Sequence, residues 1–189
     1  GMNVMRFGEF AWRKMEPKPG EYDFKWLHEV IDDLAANGIK SILGTPTATP
    51  PRWFLKQYPD AAKLNADGHR TPHGGRRHCC SNNPDYQRES EKIVTAMAKE
   101  FGDDPNVIGW QLDNEINCEC SLYYSESDHK AFRAWLQARF GTLEALNAAI
   151  GAEFWNQTYT DWEEVHLPRR TNQKDKCNQH MMLLQKRFV

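Results

Sequence analysis

The residues best placed to do chemistry are Asp113, Asn114 and Glu115, which follow the apolar segment 107–112. An apolar run that ends in acids is typical of a buried parallel strand whose carboxyl end carries a catalytic group. There an amide can hold a substrate hydroxyl while the neighbouring acid gives or takes a proton. Cleavage of a glycosidic bond needs such an acid, because the leaving alkoxide must be protonated as the bond breaks. A solvated glutamate at a strand end explains the tripeptide equally well.

The composition argues against several classes of partner. The 189 residues are 40% apolar and rich in aromatic residues, which indicates a globular chain that buries a core. Lys and Arg total 24 against 26 acids, a net charge of -2, so no general field favours nucleic acid or an anionic membrane. A neutral polyhydroxyl substrate fits this balance. No apolar run approaches the roughly 18 residues of a membrane span and no signal-peptide core is present, so we expect a cytoplasmic location.

Strand-like and helix-like segments alternate along the first two thirds of the chain. Strands are predicted at 3–7, 39–45 and 107–112, and amphipathic helices at 24–37 and 84–101. The second helix follows an Asn-Pro pair of the kind that starts helices. This rhythm predicts βα units with a parallel sheet, and therefore an α/β fold.

Three further helices are predicted after the last strand. One helix is expected at 127–140, and another runs from Thr142, its N-cap, to Ile150. Because no strand separates these helices, we interpret them as a helical insertion above the sheet. A last helix is predicted to begin at about Lys176.

The segment 63–82 has no helical or strand period, and long structureless loops in compact domains are usually functional. It carries a basic patch formed by His69, Arg70, His73, Arg76, Arg77 and His78. Contact with phosphate or nucleic acid is a minor alternative, because the chain is nearly neutral and has no basic helix.

The loop Phe154-Trp155-Asn156-Gln157 combines groups that commonly touch sugars. Aromatic faces stack on the C–H surfaces of a sugar while amides bond its hydroxyls. Burial of Trp155 in a core is an equally good interpretation of the sequence.

Seven ordered segments resemble one known family. They are Val-Met-Arg-Phe-Gly-Glu-Phe-Ala-Trp at 4–12, Pro-Gly-Glu-Tyr-Asp-Phe at 19–24, Leu-Gly-Thr-Pro-Thr-Ala-Thr-Pro-Pro at 43–51, Arg-Arg-His-Cys-Cys at 76–80, Ile-Gly-Trp-Gln-Leu-Asp-Asn-Glu at 108–115, Phe-Gly-Thr-Leu-Glu-Ala-Leu-Asn at 140–147 and Phe-Trp-Asn-Gln-Thr-Tyr at 154–159. The family is the glycoside hydrolase family 42 β-galactosidases. The resemblance implies a TIM (β/α)₈ barrel, retaining hydrolysis of terminal β-D-galactosides, and Glu115 as the acid/base. It also implies that Asn114 binds the galactosyl ring beside the anomeric carbon, that Arg6 contacts the sugar, and that Trp155 helps to line the galactose site.

The cysteines depart from the family pattern. Several members hold zinc with one cysteine after the Arg-Arg-His segment and three more after the acid/base. Cys80 matches the first position, whereas the other three are occupied by Tyr123, Ser125 and Asp128. We therefore expect no metal and no other cofactor. An alternative tetrahedral site would combine Cys80 with Cys118, Cys120 and a histidine. It is disfavoured, because those thiols follow Glu115 closely and lack the usual two-residue spacing.

The chain is short for the family. Its three predicted strands correspond to the second, third and fourth of eight, and the strand that carries the family's nucleophile comes later. Glu9, Glu16 and Asp113 are nearby acids, but none matches the nucleophile motif, so we interpret them as structural. We expect a single partial barrel domain over 1–189, truncated at both ends and inactive alone. Its expected partners are a galactoside and either a second copy or a complementing remainder of the barrel.

Two alternatives to this interpretation remain. In a non-catalytic carbohydrate-binding or assembly module, Arg6, Asn114 and Trp155 would bind sugar and nothing would be cleaved. Within hydrolases, α-L-arabinopyranosides are the second substrate class, because they share the ring configuration of galactose without its C6.

Overall fold

The computed structural model describes residues 1–116, 122–171 and 178–189. The chain forms two compact units, which we name the sheet unit (residues 1–62 and 71–120) and the helical unit (residues 63–70 and 121–189). In the described part of the chain, no helix is long and apolar enough to cross a membrane. The cytoplasmic location stays a prediction.

Where the sheet unit is described, it contains three parallel strands, β1 (Val4–Phe7), β2 (Lys40–Gly44) and β3 (Val107–Gln111), in the order β1-β2-β3. Phe7 lies opposite Leu43 in the β1–β2 pair, and the β2–β3 pair has an irregularity at Ser41 and Ile42. The predicted parallel sheet is confirmed. Because the strands are parallel, their carboxyl ends share one edge, where the residues after β3 lie.

The described residues of the sheet unit form four helices, α1 (Trp12–Met15), α2 (Lys25–Ala36), α3 (Arg52–Gln57) and α4 (Pro84–Phe101), with 3₁₀ turns at Pro46–Ala48 and Pro59–Ala61. Helix α4 starts as predicted, because the Asn83 side chain accepts hydrogen bonds from two backbone N–H groups of its first turn. Helix α1 has only four residues and was not predicted.

One face of the sheet is covered by α2 and α4. Their inward residues and those of β2 and α1 form a buried cluster of Trp12, Met15, Phe24, Leu27, Ile31, Leu43, Ile93, Met97 and Phe101. Several apolar residues of the strands instead remain exposed, among them Val4, Met5 and Ile108. Val4 and Met5 are adjacent in β1 and point to opposite faces, so the helices of the sheet unit leave apolar side chains exposed on both faces.

The helical unit contains α5 (Glu126–Phe140), α6 (Leu143–Ile150) and α7 (Gln179–Phe188), with 3₁₀ turns at Phe154–Asn156 and Trp162–Glu164. Its core packs residues from all three helices and the following loop, including Phe132, Leu136, Leu146, Val165 and Leu184. Helices α5 and α6 lie where they were predicted. Helix α7 begins at Gln179, capped by Asn178, and the predicted start at Lys176 lies outside the described residues.

Candidate active site

After β3 the backbone turns sharply through Asp113 and Glu115. Both have left-handed conformations, with φ of 57° and 46° respectively. This conformation costs roughly 1–2 kcal/mol for a residue that carries a side chain, so surrounding contacts must hold it. Glu115 is thus presented at the carboxyl edge of the sheet by a turn that depends on its neighbours.

Residues at the ends of β2 and β3 form hydrogen bonds with the backbone of the turn. Thr45, directly after β2, donates its backbone N–H to the carbonyl oxygen of Gln111 at 2.9 Å. Its hydroxyl oxygen accepts the N–H of Asp113 at 2.6 Å, and the Gln111 side chain donates to the carbonyl oxygen of Asp113 at 2.8 Å. The backbone N–H and the carbonyl oxygen of Asp113 are therefore both hydrogen-bonded to residues at strand ends.

Arg77 holds the same turn from the 63–82 segment. Its Nη1 lies 2.9 Å from Oδ1 of Asp113 and 3.0 Å from the carbonyl oxygen of Asn114. The guanidinium side chain is only 12% exposed, so the charged contacts are shielded from water. Arg77 is itself left-handed (φ 56°), and its N–H donates to the carbonyl oxygen of Ala48 at 2.6 Å.

The Asn114 side chain is buried, with 5% of the residue exposed. Its Oδ1 accepts a hydrogen bond from Nε2 of Gln111 at 3.3 Å. Its Nδ2 has no hydrogen-bond partner among the described residues. Because a buried amide nitrogen normally has an acceptor, Nδ2 is suited to donate to a ligand oxygen.

The Glu115 carboxylate is accessible, with 55% of the side chain exposed. Nη1 of Arg76 lies 2.8 Å from its Oε2. Two adjacent arginines thus contact the turn at different points, Arg77 at Asp113 and Arg76 at Glu115. An exposed carboxylate beside a directed amide can exchange a proton with a bound substrate.

The other acids near the strand ends have structural contacts. Glu16 is buried and accepts from the indole N–H of Trp12 at 2.6 Å and the backbone N–H of Gly20 at 2.7 Å. Glu9 lies 3.4 Å from Nε of Arg6, whose side chain on β1 is more than half exposed. These contacts agree with the structural interpretation of the acids, and they leave Arg6 open to solvent.

The chain is similar to known proteins. The family model for glycoside hydrolase family 42, described as beta-galactosidase, matches residues 1–189. The chain belongs to glycoside hydrolase family 42. The family 42 chain is 46% identical over 172 residues to a β-galactosidase of Thermus thermophilus and 42% identical over 168 residues to β-galactosidase YesZ of Bacillus subtilis. These alignments cover 90% and 89% of the chain but only 27% and 25% of the two relatives.

Solved structures confirm the predicted partial TIM barrel. The β-galactosidase of the psychrophilic Marinomonas ef1 has a TM-score of 0.94 at 41% identity, and that of the haloarchaeon Halorubrum lacusprofundi has 0.93 at 37%. Each superposition covers 100% of this chain and 28% of the neighbour. The family 42 chain therefore spans about a quarter of the length of the relatives it matches.

The positions that hold zinc in some family members have other contacts here. Ser125 and Asp128 form the capping box of α5, in which each side chain bonds the backbone N–H of the other residue. The ammonium of Lys63 lies 4.2 Å from the centre of the Tyr123 ring. A phenol and a hydroxyl replace two of the thiolates, and the carboxylate is bonded within the cap, so these residues do not fit tetrahedral zinc.

The alternative zinc site cannot be followed through the structure. Cys118 and Cys120 lie outside the described residues, whereas Cys79 and Cys80 are buried in the sheet unit. Within residues 1–116, 122–171 and 178–189, no cluster of three or more His, Cys, Asp or Glu side chains could hold a metal ion.

Trp155 belongs to the helical unit, where it is 59% exposed. Its backbone is left-handed (φ 57°), and so is that of Asn156 (φ 54°). Its ring stacks on Phe154 with centroids 4.8 Å apart and an interplanar angle of 24°. The alternative that Trp155 packs in a core is wrong, because this strained turn displays both rings to solvent.

The sequence did not reveal the residues that hold the turn. Thr45 and Gln111 had a usable signal, since each lies at the carboxyl end of a strand on the same edge as Asn114. The sequence pattern places Arg77 in a basic patch that suggests contact with phosphate or nucleic acid. Its partner Asp113 lies 36 positions away in the sequence, so no local pattern connects the two residues.

Proposed function

We propose that this chain carries the acid/base half of a retaining β-D-galactosidase site, with Glu115 as the proton donor. The single observation that carries the proposal is the pair formed by Asn114 and Glu115. Asn114 directs a buried amide nitrogen without a partner among the described residues, and the next residue carries an accessible carboxyl group. Family membership supports the reaction class, because the named relatives are β-galactosidases.

In the proposed first step, Glu115 gives its proton to the glycosidic oxygen while a second carboxylate attacks the anomeric carbon. In the second step, Glu115 takes a proton from the water that releases the sugar. Asn114 would donate from Nδ2 to a sugar hydroxyl beside the anomeric carbon. The retaining mechanism places the two carboxyl groups about 5–5.5 Å apart.

The second carboxylate is proposed to come from a part of the barrel outside these residues. Asp113 contacts Arg77 and Thr45 and supports the turn, and Glu16 is buried with two hydrogen bonds. A nucleophile must reach the anomeric carbon, so neither acid suits the role. The chain alone is accordingly proposed to be inactive.

Two further residues are proposed to bind the sugar. Arg6 is exposed on β1, whose carboxyl end lies on the same edge of the sheet as that of β3. Trp155 offers an exposed aromatic face, and such faces stack on the C–H surface of galactose. A β-galactoside and an α-L-arabinopyranoside would use the same contacts.

The proposed partner of the chain is either the rest of a barrel or a second copy. The exposed strand residues Val4, Met5 and Ile108 support this, because parallel sheets normally bury both faces. Strands β1 and β3 also each pair only with β2 in the described part of the chain. A complementing segment would cover these apolar side chains and pair these edges.

The test uses the protein at the full length that its gene encodes, assayed with lactose and with an activated aryl β-galactoside. Replacing Glu115→Ala should reduce lactose hydrolysis by roughly 10²–10⁴-fold and aryl hydrolysis far less, because an aryl leaving group needs little protonation. Glu29→Ala, an exposed change on α2, is the matched control. Equal losses on both substrates would count against the proton-donor role.

The same assay separates the enzyme from its non-catalytic rival. A carbohydrate-binding module would bind galactose with an affinity that depends on Arg6, Asn114 and Trp155, yet would release no product from either substrate. An aryl α-L-arabinopyranoside tested in parallel measures the preference between the two substrate classes.

A further inference from the structure

Arg77 contacts the turn at the Asp113 side chain and at the carbonyl oxygen of Asn114. We infer that Arg77 is a positioning residue, which sets the Asp113–Asn114 turn and thereby the direction of the Asn114 amide. The inference rests on the proposed function for its kinetic consequence, whereas its structural part can be tested without any activity.

The first support is the geometry of a single nitrogen atom. Nη1 of Arg77 contacts both Oδ1 of Asp113 and the carbonyl oxygen of Asn114, at 2.9 Å and 3.0 Å. The same Oδ1 accepts the backbone N–H of Asn114. Arg77 and the Asp113 carboxylate together therefore bond both the backbone N–H and the carbonyl oxygen of Asn114.

The second support is the conformation that these contacts hold. Asp113 is left-handed, and relaxation to an ordinary backbone conformation would rotate the peptide that joins it to Asn114. The Asp113 N–H and carbonyl are bonded to Thr45 and Gln111, but these contacts do not reach the Asn114 carbonyl. Of the three residues, only Arg77 bonds the backbone after the turn.

The third support is the state of the Asn114 side chain. Its oxygen is committed to Gln111 at 3.3 Å, which directs the buried Nδ2 away from that contact. The bond is long, so a small rotation of the turn would break it and free the amide to flip. The ion pair with Asp113 is shielded, and it is a stronger constraint than the long amide contact.

Two substitutions of Arg77 distinguish a positioning role from a purely stabilising one. Arg77→Met keeps an unbranched apolar side chain but removes both contacts. Arg77→Lys places one cationic nitrogen with three donors near the same two acceptors, so it should restore function. Arg52→Met, an exposed arginine at the start of α3, is the control for loss of a positive charge.

The experiment combines crystal structures of the wild-type and Arg77→Met proteins with kinetics on lactose, all at the full length that the gene encodes. In Arg77→Met the Asn114 amide should be displaced by roughly 1 Å and kcat/KM should fall about 10–100-fold, mostly in kcat. Arg77→Lys and Arg52→Met should remain close to wild type. The double variant with Asp113→Asn should lose no more than the worse single variant, because both act through one contact.

Two results would overturn the inference. One is an unmoved Asn114 amide in the Arg77→Met crystal structure, whatever the kinetics. The other is a displaced amide in an active enzyme whose kcat/KM is unchanged. If the wild-type protein hydrolyses neither substrate, the proposed function fails, and the position of the amide alone then decides whether Arg77 positions the turn.

Discussion

Nη1 of Arg76 lies 2.8 Å from Oε2 of Glu115, so the accessible carboxyl group at the end of β3 is held by an arginine from the loop that also supplies Arg77. The ion pair is partly exposed, with limited energetic weight, but it restricts where the carboxyl group can lie. In a site that needs a proton delivered to one oxygen atom, this restriction matters more than the stability of the pair.

The first prediction concerns this pair. Arg76→Met should lower the rate of lactose hydrolysis by roughly tenfold, because the Glu115 carboxyl group is then less well placed for proton transfer. Hydrolysis of an activated aryl galactoside should fall less, since that leaving group depends less on the acid. Steady-state kinetics on both substrates measures the difference, with Arg52→Met as control. A loss of the same size on both substrates would assign Arg76 to sugar binding instead.

The elements of the sheet unit were predictable because their signals are local. The apolar period of α2 and the Asn83 cap of α4 depend on residues within a few positions of one another, and both were confirmed. Helix α1 was missed because four residues are too few to display a period.

The site was only partly predictable. Asn114 and Glu115 were found because they end an apolar strand, whereas the contacts of Arg77 arise from residues brought together by the fold. The left-handed backbone at Trp155 was also not predictable, since tertiary contacts must select that conformation in a residue with a large side chain. The roles of Asn114, Glu115 and Trp155 in binding and catalysis stay predictions.

The second prediction concerns metal independence. Because Ser125 and Asp128 form a capping box where some family members have thiolates, the start of α5 should be stabilised without zinc. Metal analysis of protein purified without chelator should find well under one zinc per chain. Ser125→Ala should lower the free energy of unfolding by about 1 kcal/mol, and EDTA should leave the unfolding midpoint unchanged.

The matched control for the cap is Ser127→Ala, a serine in the same helical turn that is not the N-cap. A stoichiometric zinc whose removal by EDTA lowers the unfolding midpoint would contradict metal independence. Such a zinc would assign the metal to a ligand set that includes Cys118 and Cys120.

The third prediction concerns the pH dependence of the helical unit. His129 is buried, and its Nδ1 accepts the backbone N–H of Leu167 at 3.0 Å. Burial, followed by repulsion from His166 and Arg169, lowers the pKa of His129 to about 4. The unfolded chain takes up this proton near pH 6.5, so stability is complete above that pH and is lost as the pH falls toward 4.

The loss that this single histidine accounts for should be roughly 3 kcal/mol. His129→Asn offers an amide oxygen near the position of Nδ1 without titrating, so it should flatten the stability curve between pH 7 and 4. His180→Asn, on an exposed histidine, should leave the curve unchanged. Denaturant unfolding at several pH values makes the comparison, and parallel curves for wild type and His129→Asn would refute the assignment.

The fourth prediction concerns the 189-residue chain by itself. In the described part of the chain β1 and β3 each pair only with β2, so their outer edges and the exposed strand residues should drive self-association. Light scattering should find dimers or larger species. Ile108→Lys should shift the distribution toward monomer, because it places a charge at an exposed apolar position of β3. Glu29→Lys, on the exposed side of α2, is the control. A monomer that hydrolyses aryl galactosides would show that an acid within this segment acts as nucleophile.

The most direct test of the role of Glu115 is to trap the glycosyl-enzyme intermediate, whose hydrolysis this residue should assist as a base. In full-length Glu115→Ala, an aryl β-galactoside should still form the glycosyl-enzyme, and added azide should attack it without needing a base. We predict that azide accelerates turnover and that the product is β-galactosyl azide, with retained configuration. If azide had no effect, or if the product were the α-anomer, Glu115 would not be the acid/base, and the α-anomer would identify it as the nucleophile.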